Sequence, residues 1–400
     1  MREIENINRP AELSFVVWVV VISTLISAIG GQLFNYRIAG LGWLFPLLLS
    51  VLIILRNPGR IQFPIRIWLP WIFLVLIYLI FAEAPNALQR SVMMLTPLIV
   101  GMAVSRSRIG EKGLESFRKL YRFMAIGLFI VILFKTGIVF TGVLPARTGL
   151  AAEAMTGTLL CSLFVSNYVF GKKRELGWWA AFAAIPYIAL TRTAIVAAGL
   201  SLPMTFAPMK IFKRVVFLSL VVMLAIPMFY TERMQNKMFF SGSGTIAEVH
   251  PDNPDFATYG RKALWEVMET AIDEKPYFGH GANASEPFVS VRTGGLTHPH
   301  NDWLRLEYDY GYFGMGVFAL SLIIQLLHIL KRAKNSTGET KLLFYTGAST
   351  ILSFALFMFS DNIILYAAFF GNLQFTILGL AYASLEKEKS VQHPAIRIRW

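Results

Sequence analysis

The stretch Lys210-Ile-Phe-Lys-Arg-Val-Val-Phe-Leu-Ser-Leu-Val-Val-Met-Leu-Ala-Ile-Pro-Met-Phe-Tyr230 decides the fold. It opens on three cations, Lys210, Lys213 and Arg214, and then carries no charge from 215 to 230. Roughly 20 apolar residues are needed to cross the hydrocarbon of a bilayer as a helix. Inside that layer each backbone N–H and C=O must be bonded within the protein, which a helix achieves by itself. A basic cluster beside such a run marks the cytoplasmic end of a membrane helix.

The same unit recurs along the chain. Apolar runs predict helices near 13–33, 38–55, 67–82, 91–105, 121–142, 149–170, 177–191, 193–209, 215–230, 311–330, 342–360 and 364–385. Basic clusters fall at alternate connections: Arg56, Arg60 and Arg66; Arg106, Arg108, Lys112, Arg118, Lys119 and Arg122; Lys172, Lys173 and Arg174; Lys210, Lys213 and Arg214; Lys331, Arg332 and Lys334. The intervening connections carry single cations at Arg37, Arg90, Arg147 and Arg192, and the last of them carries Asp361 alone. Hydropathy and charge thus agree on an all-α polytopic membrane protein of about 12 transmembrane helices with both termini cytoplasmic. Residues 1–400 read as one integral membrane domain, multi-pass in the bacterial inner membrane, with one longer periplasmic segment at 231–310.

Composition excludes the alternatives. With 55% hydrophobic and 15% charged residues, the chain is far from the roughly 25% charged of soluble domains. The net charge of +13 is spread over the helix flanks, so its partner is the lipid bilayer and no nucleic acid is expected. The single cysteine, Cys161, lies in an apolar run, which rules out a disulfide framework and a cysteine metal site. The first apolar run is longer than a signal-peptide core and lacks an Ala-x-Ala site, so it is expected to remain as an anchor.

The segment 231–310 holds most of the residues capable of chemistry. Turn signals at Ser241-Gly-Ser-Gly-Thr245 and His250-Pro-Asp-Asn-Pro-Asp255 precede a helical pattern, Leu264, Val267, Met268, Ala271 and Ile272, that follows Arg261. This predicts an amphipathic helix at the membrane surface, ended by Pro276 and followed by Gly279-His280-Gly281. The densest constellation is Thr297-His298-Pro299-His300-Asn301-Asp302-Trp303-Leu304-Arg305-Leu306-Glu307. Two imidazoles so placed can bind a metal, act as a base or hydrogen-bond at the interface. No third and fourth ligand stands at useful spacing, so no metal and no cofactor is expected. Imidazole titrates near neutrality, which favours a general base.

His300, Asn301, nine residues and then Gly311-Tyr-Phe-Gly314 fit the pattern His-[Asn/Ser/Gln]-x9-Gly-x-x-Gly. This resembles the O-antigen ligase and polysaccharide polymerase superfamily. Leu190-Thr-Arg192-Thr-Ala194 at the outer end of a helix hairpin, and Tyr259-Gly-Arg261 followed by Trp265 and Pro276-x-x-Gly279-x-Gly281, look like the same family. The resemblance covers about residues 147–385. It implies a metal-independent membrane glycosyltransferase of the GT-C type, acting on the periplasmic face. The donor would be a saccharide on undecaprenyl diphosphate and the acceptor a hydroxyl of a glycan or of lipid A-core. Arg192 and Arg261 would then clamp the diphosphate as binding and catalytic residues, since guanidinium offers planar, permanent, bidentate charge. His300 would be the general base, with Arg147, His298, Asn301, Arg305 and Glu307 as supporting positions.

Each of these residues also has an ordinary reading. Arg192 can be a snorkelling interfacial arginine, Arg261 a solvated helix residue and His300 a satisfied interface group, with His298 more structural than catalytic. Within the family, polymerisation of repeat units in O-antigen or exopolysaccharide assembly is slightly preferred to ligation, because nothing marks a lipid A-core docking surface. A secondary transporter is the more distant alternative, opposed by the lack of ionisable residues near the centres of the predicted spans. A scaffold without chemistry is the last.

Overall fold

The computed structural model describes residues 14–30, 32–33, 36–37, 42–56, 61–107, 109, 111–141, 149–294 and 296–385. Helices dominate it: α1 (Phe15–Ile29), α2 (Leu44–Arg56), α3 (Leu69–Ile80), α4 (Ala87–Val104), α5 (Glu111–Thr136), α6 (Ala151–Val169), α7 (Glu175–Ala189), α8 (Arg192–Leu200) and α9 (Ile211–Phe229). The segment 231–310 adds α10 (Glu232–Met238), α11 (Arg261–Ile272) and α12 (Ser285–Thr293). The chain closes with α13 (Asp302–Lys334), α14 (Gly338–Phe357) and α15 (Asn372–Ala383), the last entered through a π-helical turn, Ala367–Gly371. The departures from helix are a two-residue antiparallel ladder, β1 (Gln32–Leu33) with β2 (Tyr36–Arg37), and an isolated bridge between Phe239 and Phe256.

Each predicted apolar run coincides with a helix, and the helices differ in length. Ala87–Val104, Ile211–Phe229, Asp302–Lys334 and Gly338–Phe357 are long and apolar enough to span a membrane, whereas Phe15–Ile29, Leu44–Arg56, Leu69–Ile80 and Ala367–Ala383 are apolar but shorter. The run 193–209 departs furthest from expectation, because α8 ends at Leu200. Pro203 and Pro208 follow, and proline lacks the N–H and the backbone freedom that a continuing helix needs. Both termini, predicted to be cytoplasmic, lie outside the described residues, as do Arg60, Arg108 and Arg147.

The core sits around α15, buried along its whole length, and α6, buried from Glu153 to Asn167. At the other extreme, α9 buries no residue. A helix apolar on every side is what a bilayer tolerates at its periphery and a bundle requires at its centre.

In the outer segment, Leu264, Met268, Ala271 and Ile272 of α11 pack with Val289, Leu304 and Tyr308. The amphipathic face predicted from the sequence therefore seals against α12 and the start of α13, while Val267 at its edge is exposed. Gly311 breaks α13, with φ +66° and ψ −177°. The backbone groups freed there bond to the segment 276–281: Tyr312 N donates to Pro276 O (2.7 Å), Phe313 N to Tyr277 O (3.1 Å), His280 N to Tyr308 O (2.9 Å) and Gly281 N to Asp309 O (3.0 Å). The chains are so close that a Cβ on Gly279 would stand 2.6 Å from Gly311 N, and one on Gly311 would stand 2.3 Å from the Tyr277 carbonyl. The glycines in the two motifs thus face each other, and their contact fixes the outer arm of α13, residues 302–310, above the apolar span.

Candidate functional site

Arg192, Arg261 and His300 all stand where a helix begins. Arg192 is the first residue of α8, Arg261 the first of α11, and His300 precedes Asn301, which caps α13 by accepting from Leu304 N at 3.1 Å. The first turn of any helix presents unsatisfied N–H groups and a partial positive charge, which favours an anion nearby. Neither Thr191 before α8 nor Gly260 before α11 spends a side-chain cap on those N–H groups.

One hairpin between α14 and α15 gathers the three residues. Arg261 Nη1 donates to Ser360 O at 3.0 Å. The hydroxyl of Thr193, next to Arg192, bonds to that of Ser360. His300 N donates to Asn362 Oδ1 at 3.1 Å, and His300 Nδ1 lies 3.5 Å from Asp361 Oδ1 and 3.1 Å from Asn362 Nδ2. Buried Asp302 staples the hairpin to α13: its N–H donates to Met358 O at 2.7 Å and its Oδ2 accepts from Ile364 N at 2.8 Å.

The two arginines share an unusual condition. Among the described residues neither lies within ion-pair distance of a carboxylate. Arg192 approaches only Met238 Sδ at 3.9 Å and the Phe256 ring, whose centroid is 5.1 Å from its Cζ. Burial lowers the Arg192 pKa from its ordinary value, and the charge of Arg261 lowers it further. Two neighbouring guanidiniums that repel each other, one of them desolvated, raise the local potential, and an anion would relieve it.

His300 is also conformationally marked, with φ +54°. A left-handed backbone at a residue other than glycine costs about 1–3 kcal/mol and persists where the surroundings over-determine it. Here Asn362 fixes its N–H, the Asn301 cap fixes the next residue, and Trp265 Nε1 donates to Pro299 O at 2.7 Å. Its Nδ1 cannot donate to Asp361 and accept from Asn362 at once. Donation from Nδ1 to Asp361 leaves the Nε2 lone pair free to take a proton, whereas acceptance from Asn362, the shorter contact, places the proton on Nε2.

The other predicted positions play supporting or separate parts. His298 is half-buried; burial, with the charges of Arg305 and Arg90, pushes its pKa down to about 3, against the opposing Glu286. It is therefore a neutral imidazole near pH 7. Arg305 is 2% exposed and braced by Asp309 Oδ2 (3.5 Å from Nε) and Asn283 Oδ1 (3.2 Å from Nη2), tying the 281–286 turn to α13. Glu307 is half-buried on another side of α13, where burial raises its pKa, Tyr312 opposes and Glu269 and Asp273 add to the rise. The structure does not bring it to His300. Arg147 lies outside the described residues. Among the described residues, no three His, Cys, Asp or Glu side chains cluster as metal ligands.

Sequence reasoning admitted Asp361 only as a supporting candidate, more simply a boundary charge, and did not single out Ser360 or Asn362 as site residues. The available signal was that Asp361 is the sole charge in an outer hairpin that has no cation.

Residues 176–319 match the family model described as O-antigen ligase. The match runs from α7 into the span of α13 and includes Arg192, Arg261 and His300, but stops before Asp361. No curated protein matches the chain. Over that segment the chain is similar to O-antigen ligase, the family that its motifs resemble.

Proposed function

We propose, with the similarity of residues 176–319 to O-antigen ligase as the premise, that this chain transfers a saccharide from undecaprenyl diphosphate to a glycan hydroxyl on the periplasmic face. The observation that carries the reading is the convergence of Arg261 and a carboxylate-facing His300 on the hairpin Ser360-Asp361-Asn362, with Arg192 beside it through Thr193, neither arginine having a carboxylate partner among the described residues. His300 Nε2 accepts the acceptor's hydroxyl proton, and that oxygen forms the new bond to the anomeric carbon. The bond from that carbon to the diphosphate oxygen breaks, and the departing oxygen keeps the electron pair. Arg192 and Arg261 stabilise the charge that grows there, as preorganised cations do in a desolvated site. Asp361 then faces an imidazolium, which it stabilises. A single displacement of this kind inverts the anomeric centre.

Polymerisation of repeat units is the preferred reaction, with lipid A-core as the other acceptor. A deletion strain separates them: single repeats remain if a polymerase is lost, unattached lipid-linked polymer if a ligase is lost. The mechanism is tested by transfer from an undecaprenyl diphosphate saccharide with purified wild type, His298→Ala and His300→Ala, each with and without EDTA. His300→Ala should lose about 10²–10⁴ in rate, as when a general base is removed. The wild type should be indifferent to EDTA. Near-wild-type transfer by His300→Ala, or EDTA inhibition reversed by a divalent metal, would refute the mechanism.

A further inference from the structure

Beside the two arginines the segment 231–310 folds back on itself in a short antiparallel contact. Met238 O accepts from Ala257 N at 2.8 Å, Phe239 bridges Phe256, and Phe240 N donates to Asp255 O at 2.8 Å. Met238 and Phe256 are the side chains that Arg192 approaches. The same stretch also carries aromatic rings that do not join the core. Phe240 is 63% exposed and Tyr259 44%, with ring centroids 6.0 Å apart at an interplanar angle of 69°. Lys237 Nζ stands 4.6 Å from the Tyr259 centroid, and the Tyr259 hydroxyl donates to Lys237 O at 3.5 Å. Tyr259 holds a left-handed backbone, φ +53°, two residues before Arg261. Such a conformation costs a bulky residue about 1–3 kcal/mol and tends to occur at functional sites. Asparagine or glycine would adopt it with less strain, so local geometry does not account for an aromatic ring here.

From this geometry we infer that Tyr259 and Phe240 form a stacking platform for the sugar joined to the donor's diphosphate, with Lys237 reaching a hydroxyl or carboxylate on the sugar's rim. The inference rests on the proposed donor and adds which surface recognises its saccharide. Position favours this occupant: the Tyr259 hydroxyl is near enough to Arg192 to act on its guanidinium, and one glycine separates Tyr259 from Arg261. A sugar bonded to a diphosphate between those arginines would emerge beside the rings. Chemistry favours it too, since a pyranose presents a face of C–H groups edged by hydroxyls. The negative face of an aromatic ring suits the former, and an adjacent cation suits the latter. The backbone bonds of Met238 with Ala257 and of Phe240 with Asp255 set the rings in place before a ligand arrives, so less freedom is lost on binding. Insertion of the rings into lipid is less favoured, because Asp255 accepts from Ser241 N at 2.7 Å beside Phe240, and hydrocarbon disfavours a carboxylate.

The test compares equilibrium binding of two lipids to the full chain in nanodiscs: sugar-free undecaprenyl diphosphate, and the lipid-linked saccharide that accumulates in the deletion strain. The wild type should prefer the saccharide-linked lipid. Phe240→Ala, and Tyr259→Asn, which removes the ring but suits the left-handed backbone, should each cut that preference at least several-fold. Both should leave affinity for the sugar-free lipid within about twofold, and Tyr259→Trp should keep most of the preference. An unchanged preference in both ring-removing variants, or no preference in the wild type, would overturn the platform while the donor reading stands. Equal weakening of both lipids would show that the rings hold the segment or anchor it to the bilayer, and would also overturn the platform. Absence of saturable binding by either lipid, or of any accumulated lipid-linked saccharide, would overturn the donor reading together with the platform.

Discussion

The cations at the two ends of this bundle are held in opposite ways. At the basic end, Arg122 is paired with buried Glu175, while Arg118 and Lys172 share Glu339 at 2.8 and 3.3 Å. Arg214 donates to three backbone carbonyls, of Pro203, Ala207 and Met209. At the other end, Arg90 is paired with Glu286 at 2.9 Å, but among the described residues Arg192 and Arg261 have no carboxylate partner. A partly buried charge is ordinarily neutralised by its own chain. On the proposed function, the anion that completes these two cations is the substrate's diphosphate. Pairing, more than position or count, is then what would separate the cations that hold the fold from those that meet a substrate.

The contrast can be broken most directly at the unpaired arginines. Arg192→Ala and Arg261→Ala should each lower transfer about 10²–10³-fold, the scale of removing one preorganised charge-stabilising donor. Lysine should restore little, because a compact ammonium lacks the bidentate fork. Full activity of Arg192→Lys and Arg261→Lys in the transfer assay would reduce both residues to long-range attraction.

The paired end should respond in stability instead. Arg122→Ala leaves Glu175, 1% exposed, without its partner, and removing one member of a buried pair costs about 3–5 kcal/mol. Part of Arg122 is solvated, so the lower end of that range or below is expected. Thermal unfolding in detergent should show the loss, while transfer per folded molecule stays within about twofold. A large drop in transfer by well-folded Arg122→Ala would erase the distinction between the two ends.

The difference in legibility between these parts has a physical cause. Arg192, Arg261 and His300 were singled out as letters of three short motifs, and the structure places them at or just before helix starts, with Thr191 before α8, Gly260 before α11 and Asn301 before α13. Asp361 and Asn362 join His300 across some sixty residues of chain, and only the packing of α14 and α15 on α13 creates that contact. Glu307 follows His300 closely in sequence, and the turn of α13 carries it toward Glu269 and Asp273. Gly279 and Gly311 were visible as motif letters, but their mutual approach was not. The apolar runs were legible as helices, whereas how many cross the membrane was not, since Pro203 and Pro208 cut α8 to nine residues.

The smallest expected effect concerns His298. Its folded pKa of about 3 lies below the ordinary imidazole value near 6.5, so the folded state binds fewer protons between those limits. The stability this contributes is present above about pH 6.5 and is lost as pH falls toward 3. His298→Gln should flatten the acid side of a melting-temperature profile over that window and leave transfer at pH 7.5 within a few-fold. An unchanged acid limb would show that His298 is solvated rather than held neutral.

The central claim is that Arg192 and Arg261 await a lipid-linked diphosphate. Equilibrium binding of sugar-free undecaprenyl diphosphate to the purified chain in nanodiscs tests it without requiring turnover. Wild type and His300→Ala should bind alike, whereas Arg192→Ala and Arg261→Ala should each weaken binding at least about tenfold, the loss of a charge-assisted contact worth roughly 1.4 kcal/mol or more. Equal affinity in all four proteins would contradict the account.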